Sequence, residues 1–593
     1  MQIALAGINI TNPDNVKEPC KWDSYVSMCC TDSKAVQAPK CVVISDYKQP
    51  ITEYFDVISG EVIKNPAKDK KGIQYLYRLN TTPENNVKKT IQILPFDGAG
   101  LVDVSLAEEW AKKLGLNYIP SAWQFRAMAG VKGNVYTFNI KEFAKTYGVH
   151  TITDRWGDSH EIYNKNHGLK INCILTESQV KFCKMFTDQK AWEDAYKKKE
   201  YGYSRTFNVS DACIPYGKLK KHCILSYQPL QSLELTDEEI DTLCADTVQQ
   251  VQKIHTDIDS FAKWAGLDSE EENMYIDPAL QALKYNHSLA NDEYVHKNIL
   301  YSLSKYRALN HIKISVQGNY QVFIPDLFAL AQSAFGIPVT GLLKAGQVYN
   351  LYWHNQGKQE ITMVRFPHIA REHYLADVAG ENNDNWEEMA KWYQYQNVGY
   401  ISSIHDSLAL RLGGADYDND HVYGIADDTI CNAVKCNPAN TIWFERDTEG
   451  EAKANKKVLF SDYQSIANSE SVGMRNNIGR VVDHTSQLWS LITPDNTAEY
   501  NQKIYDYIKV MQVLDSLTID FAKTGIKAEM PKDIKAALKG IDNPWFFQFR
   551  DKETAGSINQ YNGSNVKTKI WWEFNEPDIS KSFCYATHVV KAE

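Results

Sequence analysis

The 593-residue chain has no Cys-x-x-Cys pair among its 12 cysteines, and their spacing is irregular: Cys29 and Cys30 are adjacent, Cys431 and Cys436 five apart. Zinc knuckles need two close pairs, so no structural zinc is expected, and the thiols read as buried and reduced. A bilayer-spanning run is also missing. The longest apolar stretch, Val322 to Leu343, is broken by Pro325, Asp326, Gln332 and Pro338. The opening MQIALAGINITNPDN lacks the basic segment, apolar core and cleavage pattern of a signal peptide. These features point to a cytoplasmic protein with no membrane partner. With 31 Gly, 19 Pro and no repeating period, collagen-like, mucin-like and coiled-coil classes are excluded. Positive charge is short as well: 64 Lys and Arg against 74 Asp and Glu leave a net charge of −10. That argues against coating nucleic acid by bulk charge, though not against a local basic channel. The 43% hydrophobic and 12% aromatic content is enough for a full core, over a length of about four average domains.

Within these limits the chain alternates in character. Residues 1–100 carry β-branched runs such as Cys41–Ser45, with turn chemistry at Asn80-Thr81-Thr82-Pro83. Ser105 and Glu108 have capping-box spacing ahead of Leu106, Trp110 and Leu114, and Gly115 is a natural stop. Residues 186–300 read as helical. Thr236 and Glu239 form a second capping box before Ile240, Leu243, Val251, Ile254, Ile258 and Phe261, ended by Gly266. Strand patterning returns from His311 to Val422 and includes Leu408-Ala409-Leu410-Arg411-Leu412. Helices dominate from about residue 460 to 525, where Ile504, Ile508, Met511, Leu514, Leu517 and Phe521 form one apolar face. The last forty residues, with Gly556 and Gly563, read as loop. The fold class is therefore α+β. The expected divisions are a β-rich half at 1–185, a helical connector at 186–305, a second β-rich unit at 306–430, and a helical region with a tail at 431–593.

The sharpest local feature is Gly413-Gly414-Ala415-Asp416-Tyr417-Asp418-Asn419-Asp420. Three carboxylates at alternate positions share a face in a strand and converge in a tight loop, so they can meet one Mg²⁺. An EF-hand is rejected, because its sixth and twelfth positions here are His421 and Asp427 rather than Gly and Glu. Two other readings stay open: a solvated acidic turn, and the paired aspartates of a toprim-type primase or nuclease.

Other segments follow in a fixed order: Pro95-Phe96-Asp97-Gly98-Ala99-Gly100; Ser121-Ala122-Trp123-Gln124-Phe125-Arg126; Val131-Lys132-Gly133; Gly341-Leu342-Leu343-Lys344-Ala345-Gly346; Arg365-Phe366-Pro367; the aspartate cluster; and Asp520-Phe521-Ala522-Lys523-Thr524-Gly525. Across residues 95 to 531 this set resembles the cellular RNA-dependent RNA polymerases of RNA silencing and the single-chain RNA polymerases of phages and prophages. The resemblance implies two double-psi β-barrels facing an active-site cleft, with helical regions between and after them. Asn419 stands where that family usually has Gly, and Asn tolerates left-handed backbone better than most residues.

The resemblance also implies roles. Asp416, Asp418 and Asp420 would be the catalytic Mg²⁺ ligands, with Mn²⁺ as a substitute. Lys132 would lie near the nascent RNA or the triphosphate, and Lys181 resembles the family's second lysine. Gln124 and Arg126 would shape the same wall, and Arg365 would address the ribose or phosphates of the incoming nucleotide. Asp97, Gly98 and Gly100 read as a turn, Gly341–Gly346 as a barrel turn, and Asp520, Lys523 and Thr524 as helix-cap residues, either architectural or template-facing. The patch from Tyr196 to Arg205 reads as a solvated helix face. The expected partners are nucleoside triphosphates, a single-stranded DNA or RNA template and the nascent RNA, in the cytoplasm of a bacterial host. The alternatives are another phosphotransfer enzyme acting on nucleic acid and a non-catalytic nucleic-acid-binding relative.

Overall fold

In the computed structural model, the structure describes residues 16–17, 32–66, 75–127, 130–164, 168–181, 183, 186–196, 206–265, 267, 278–305, 313–454, 458–459, 477–544 and 546–547. The Lys197–Lys199 and Tyr201–Arg205 patch, Gly266, Gly556 and Gly563 lie outside them. The chain divides into two compact units, Met1–Lys221 with Gly318–Val482 and Asp506–Ala537, and His222–Gln317 with Asp483–Tyr505 and Leu538–Glu593.

The first unit is built on two sheets. One is a curled, open sheet of seven strands: β1 (Lys34–Gln37), β2 (Cys41–Ile44), β3 (Ala99–Asp103), β4 (Ala122–Ala127), β5 (Val131–Phe138), β6 (Cys173–Thr176) and β7 (Thr206–Ala212), in the order β1-β7-β4-β5-β3-β6-β2. The other is a closed barrel of six: β8 (Ile314–Ile324), β9 (Gln347–Tyr349), β10 (Glu360–Val364), β11 (His373–Val378), β12 (Tyr400–Ser402) and β13 (His421–Ile425). Its order is β8-β12-β9-β11-β10-β13, and β13 returns to β8 with Val322 opposite His421. The two-barrel plan is thus present with one barrel closed and the other a half-barrel. A third sheet joins Gln49–Lys64, Tyr75–Leu79, Glu84–Ile93, Thr441–Glu445 and Lys527–Ala528.

One continuous core joins the curled sheet to the barrel, with Tyr136, Phe138 and Ile174 from the former and Phe323, Ile401 and Val422 from the latter, all fully or almost fully buried. The opposite face of the curled sheet packs under the helix Val104–Lys113, where Trp110 stacks on Phe207 at 5.6 Å and meets Trp123 edge-on at 5.5 Å. That helix ends as its sequence requires, at Gly115 with φ +71°. Its start differs from the expected Ser105 box: Asp103 is the cap, and its Oδ1 accepts from the Ser105 N–H at 3.1 Å. A carboxylate two residues earlier starts the helix sooner and gives a first-turn amide a stronger acceptor than a hydroxyl.

Three further readings need correction. Leu408–Arg411 is a helical turn, not a strand, because Asp406 Oδ1 accepts the Leu408 N–H at 3.0 Å and starts a helical path. The region read as wholly helical contains β7, which pairs with β4 across a bulge between Val209 and Asp211. In the second unit, the helix begun by the Thr236–Glu239 box stops at Thr256. There Asp257 breaks the run and caps Ile258–Trp264 by accepting from Ser260 N–H at 2.9 Å. Within that unit Ile254, Phe261, Leu283, Val295 and Ile299 form a small core.

The helix Ala498–Thr524 buries Ile504, Ile508, Met511, Leu514, Leu517 and Phe521 as its spacing predicts. Of the eight described cysteines five are buried and Cys436 is exposed. No helix among the described residues is long and apolar enough to cross a membrane.

Candidate active site

The aspartate loop leaves the helical turn at Leu408–Arg411 and enters β13. Its middle residue fixes it. Tyr417 is buried, stacks on Phe323 at 4.7 Å, and shares a 2.8 Å hydrogen bond with Ser402 Oγ. Its backbone N–H donates to Asp97 O at 3.0 Å, and its carbonyl accepts from Tyr136 OH at 2.9 Å. The barrel thus holds the ring and the curled sheet holds the backbone. With Tyr417 turned inward, Asp416 and Asp418 on either side are left partly accessible. Asn419 completes the turn at φ +104°, the left-handed conformation its side chain tolerates. Asn134 Nδ2 steadies it by donating to Asn419 Oδ1 at 3.2 Å.

The segment around Asp97 presses on this loop. A Cβ on Gly98 would lie 2.6 Å from Asp418 Cβ, and Gly98 has φ +79°, so both the contact and the conformation demand glycine. Gln179 locks the arrangement by donating to Gly98 O at 3.0 Å and Asn134 O at 2.8 Å.

Every sequence candidate gathers around the loop. Lys132 Nζ, on β5, lies 2.9 Å from Asp418 Oδ2. Arg365, following β10, places Nη2 3.0 Å from Asp420 Oδ2 and donates from Nη1 to Gly413 O at 3.4 Å. Gln124 reaches Asp418 O at 3.5 Å and is itself oriented by Ser210 Oγ, which donates to its Oε1 at 2.9 Å. Lys181 donates to Ser178 O, and Arg126 to Phe125 O at 3.0 Å. Both cations are close enough to lower the pKa of Asp418.

The electrostatics are uneven. Burial pushes the Asp416 carboxyl up, and the charges of Asp97, Asp418 and Asp420 add to this, to about 7. Burial also pushes Asp418 up, but the Lys132 ammonium, with Lys181 and Arg126, more than offsets it and holds Asp418 below the usual range. Burial lowers Lys181, and the neighbouring Lys132 charge contributes.

Among the described residues no three acidic, histidine or cysteine side chains stand close enough together to hold a metal. Lys132 holds Asp418, Arg365 holds Asp420, and Asp420 Oδ2 accepts the Asp416 N–H at 2.8 Å. The donor set nevertheless suits a hard divalent cation: three carboxylates on one short loop, with Asp416 raised by burial and by its acidic neighbours. Four contributors escaped the sequence reading. Asp97 and Asn134 touch the loop from more than 280 positions away in the chain. Glu372 and Asp515 are buried acids that burial pushes up, to about 8 and about 7, with the Arg365 charge pulling the other way in each. The local signal for Asp515 is a charge beside the apolar face of its helix, next to Leu514.

The model of the RNA-dependent RNA polymerase family matches residues 10–572. A curated relative, the DNA-directed RNA polymerase YonO of Bacillus phage SPbeta, is 26% identical over 564 residues, which cover 92% of this chain and 58% of that protein. In fold, the chain resembles the RNA-dependent RNA polymerase QDE-1 from Thielavia terrestris, with a TM-score of 0.57 at 13% identity, covering 98% of this chain and 57% of that one. The chain spans a little more than half the length of each of these relatives. From the match over nearly all of its residues, the chain belongs to the RNA-dependent RNA polymerase family.

Proposed function

We propose that the chain is a template-directed RNA polymerase that extends an RNA 3′-end with nucleoside triphosphates. The observation that carries this reading is the aspartate loop, pinned at Tyr417 and faced by Lys132, Lys181, Arg126 and Arg365. In the reaction the RNA 3′-oxygen attacks the α-phosphorus, a new P–O bond forms, and the bond to pyrophosphate breaks. Such transfer depends on positioning and charge neutralisation more than on covalent chemistry.

Asp416, Asp418 and Asp420 would hold Mg²⁺, or Mn²⁺ in its place, and the ion would supply charge neutralisation at the reacting oxygens. The chain's own part is then specific. Lys132 and Lys181 would face the triphosphate and nascent RNA, Arg365 the phosphates or ribose of the incoming nucleotide, and Gln124 and Arg126 would shape the wall beside them. The curled-sheet half would supply Lys132, Lys181 and Arg126, and the barrel the acidic loop together with Arg365. The bound Asn419 supports an intact loop over a damaged, non-catalytic one.

The name of the phage relative supports a DNA template, and with it action in the cytoplasm of a bacterial host. The test is primer-independent RNA synthesis on matched single-stranded DNA and RNA templates. Mg²⁺-dependent product that disappears in Asp418→Ala supports the reading. Cleavage of nucleic acid without triphosphates, and no synthesis on either template, would replace it with a nuclease.

A further inference from the structure

Arg365 does not stand against Asp420 alone. Glu372, 4% exposed, flanks the same glycine: a Cβ on Gly413 would lie 3.0 Å from Glu372 Oε1 and 3.7 Å from Arg365 Nη1. One Glu372 oxygen is committed, since Oε2 accepts the Ile369 N–H at 2.6 Å. Asp515, also 4% exposed, lies on the helix Ala498–Thr524, and its Oδ1 is buried without a hydrogen-bond partner. Burial pushes both acids up, Asp515 to about 7 and Glu372 to about 8; the Arg365 charge opposes the rise in each, and the Asp515 charge adds to it in Glu372. A buried carboxylate oxygen with nothing bound to it is costly, and a planar five-donor guanidinium nearby is the group best able to satisfy it.

A cation bound by Asp420 would compete with Arg365 for Oδ2, the oxygen now 3.0 Å from Nη2. The displaced guanidinium would then need another anion in a buried setting. We propose that Asp515 is a positioning residue that receives Arg365 when Asp420 turns to a divalent cation, with Glu372 keeping the guanidinium in the plane between them. The inference rests on the reading of Asp420 as a metal ligand. It makes Arg365 a two-position side chain, released from the loop at metal loading.

The test is calorimetric Mg²⁺ titration of the full chain without nucleotide, for wild type, Asp515→Asn, Arg365→Gln and the double variant. Without Asp515, Arg365 stays on Asp420, so Mg²⁺ binding is expected to weaken roughly tenfold. In the Arg365→Gln background the same change should cost roughly twofold or less, because the two act as one unit. Equal weakening with and without Arg365, or none, overturns the proposal. Should Asp515→Asn fail to fold, a crystal structure of the wild-type chain with Mg²⁺ decides. Arg365 hydrogen-bonded to Asp515 supports the handover, and Arg365 still on Asp420 beside the bound ion overturns it. Mg²⁺ binding without RNA synthesis would fail the polymerase reading and leave this readout intact.

Discussion

Lys132 on the curled sheet and Asp418 on the aspartate loop meet at 2.9 Å, and the Lys132 ammonium, with Lys181 and Arg126, holds Asp418 below the usual carboxylate range while burial and its acidic neighbours push Asp416 up to about 7. Lys132→Met is expected to lower single-nucleotide incorporation by roughly 10²-fold or more. Its urea midpoint should stay close to wild type, since the pair is partly exposed and such pairs contribute little to stability. A large midpoint shift with activity retained would recast Lys132 as a structural residue.

Asn419 should be replaceable by Gly and not by Val. Asn419→Gly loses the hydrogen bond from Asn134, about 1 kcal/mol, and gains backbone freedom at φ +104° of similar size. Nucleotide incorporation should therefore stay within roughly threefold of wild type. Asn419→Val forces a β-branched residue into the same conformation, at a cost of about 1–3 kcal/mol, and should weaken Mg²⁺ dependence and activity together. Comparable Mg²⁺ titration curves for the two variants would contradict this.

Glu372 gives a pH signature. Burial pushes its carboxyl from the ordinary 4.5 up to about 8. The folded state therefore holds this proton more tightly than the unfolded chain. Its contribution to stability is fully present below the unfolded value and is lost as pH rises toward about 8. Glu372→Gln keeps the neutral shape, so its thermal midpoint should fall less steeply than that of wild type between pH 6 and pH 8. Parallel midpoint curves for the two proteins across that range would show that Glu372 does not titrate this way.

Lys509 is 3% exposed in its side chain and lies 2.8 Å from Asp56 Oδ2 and 3.2 Å from Asp506 Oδ1, with Asn85 Oδ1 accepting at 2.6 Å. Lys509→Ala leaves the buried Asp56 carboxylate without its cation, with only Asn440 Nδ2 and the Asn86 N–H still donating to it, and is expected to cost about 3 kcal/mol by urea unfolding. Adding Asp56→Leu to Lys509→Met should recover part of that loss, because an apolar pair removes both charges. A double variant weaker than either single one would count against the ion-pair account.

What could be read from the sequence divides along the range of the interactions. Gly115, the Thr236–Glu239 box and the apolar face from Ile504 to Phe521 are set by neighbours within a few positions, and all three stand where the spacing puts them. The Leu408–Leu412 stretch was ambiguous by nature: alternating apolar residues over five positions fit either period until Asp406 caps the turn. The Asp416, Asp418 and Asp420 spacing was visible, and the ordered motifs brought Lys132, Lys181, Gln124, Arg126 and Arg365 into view. The partners of that loop were not. Asn134 is tied to it only by folding, and the Pro95–Gly100 segment reads as a turn with no sign that Asp97 meets the loop. The strand Thr206–Ala212 was missed likewise, because its pairing is with residues some eighty positions earlier.

Tyr417 has a consequence for how such enzymes can diversify. Its ring belongs to the barrel, through Phe323 and Ser402, while its backbone belongs to the curled sheet, through Asp97 and Tyr136. Neither half can be exchanged for that of a distant relative without misplacing the carboxylates, so a recombinant that swaps only one half inherits a loop with half its moorings.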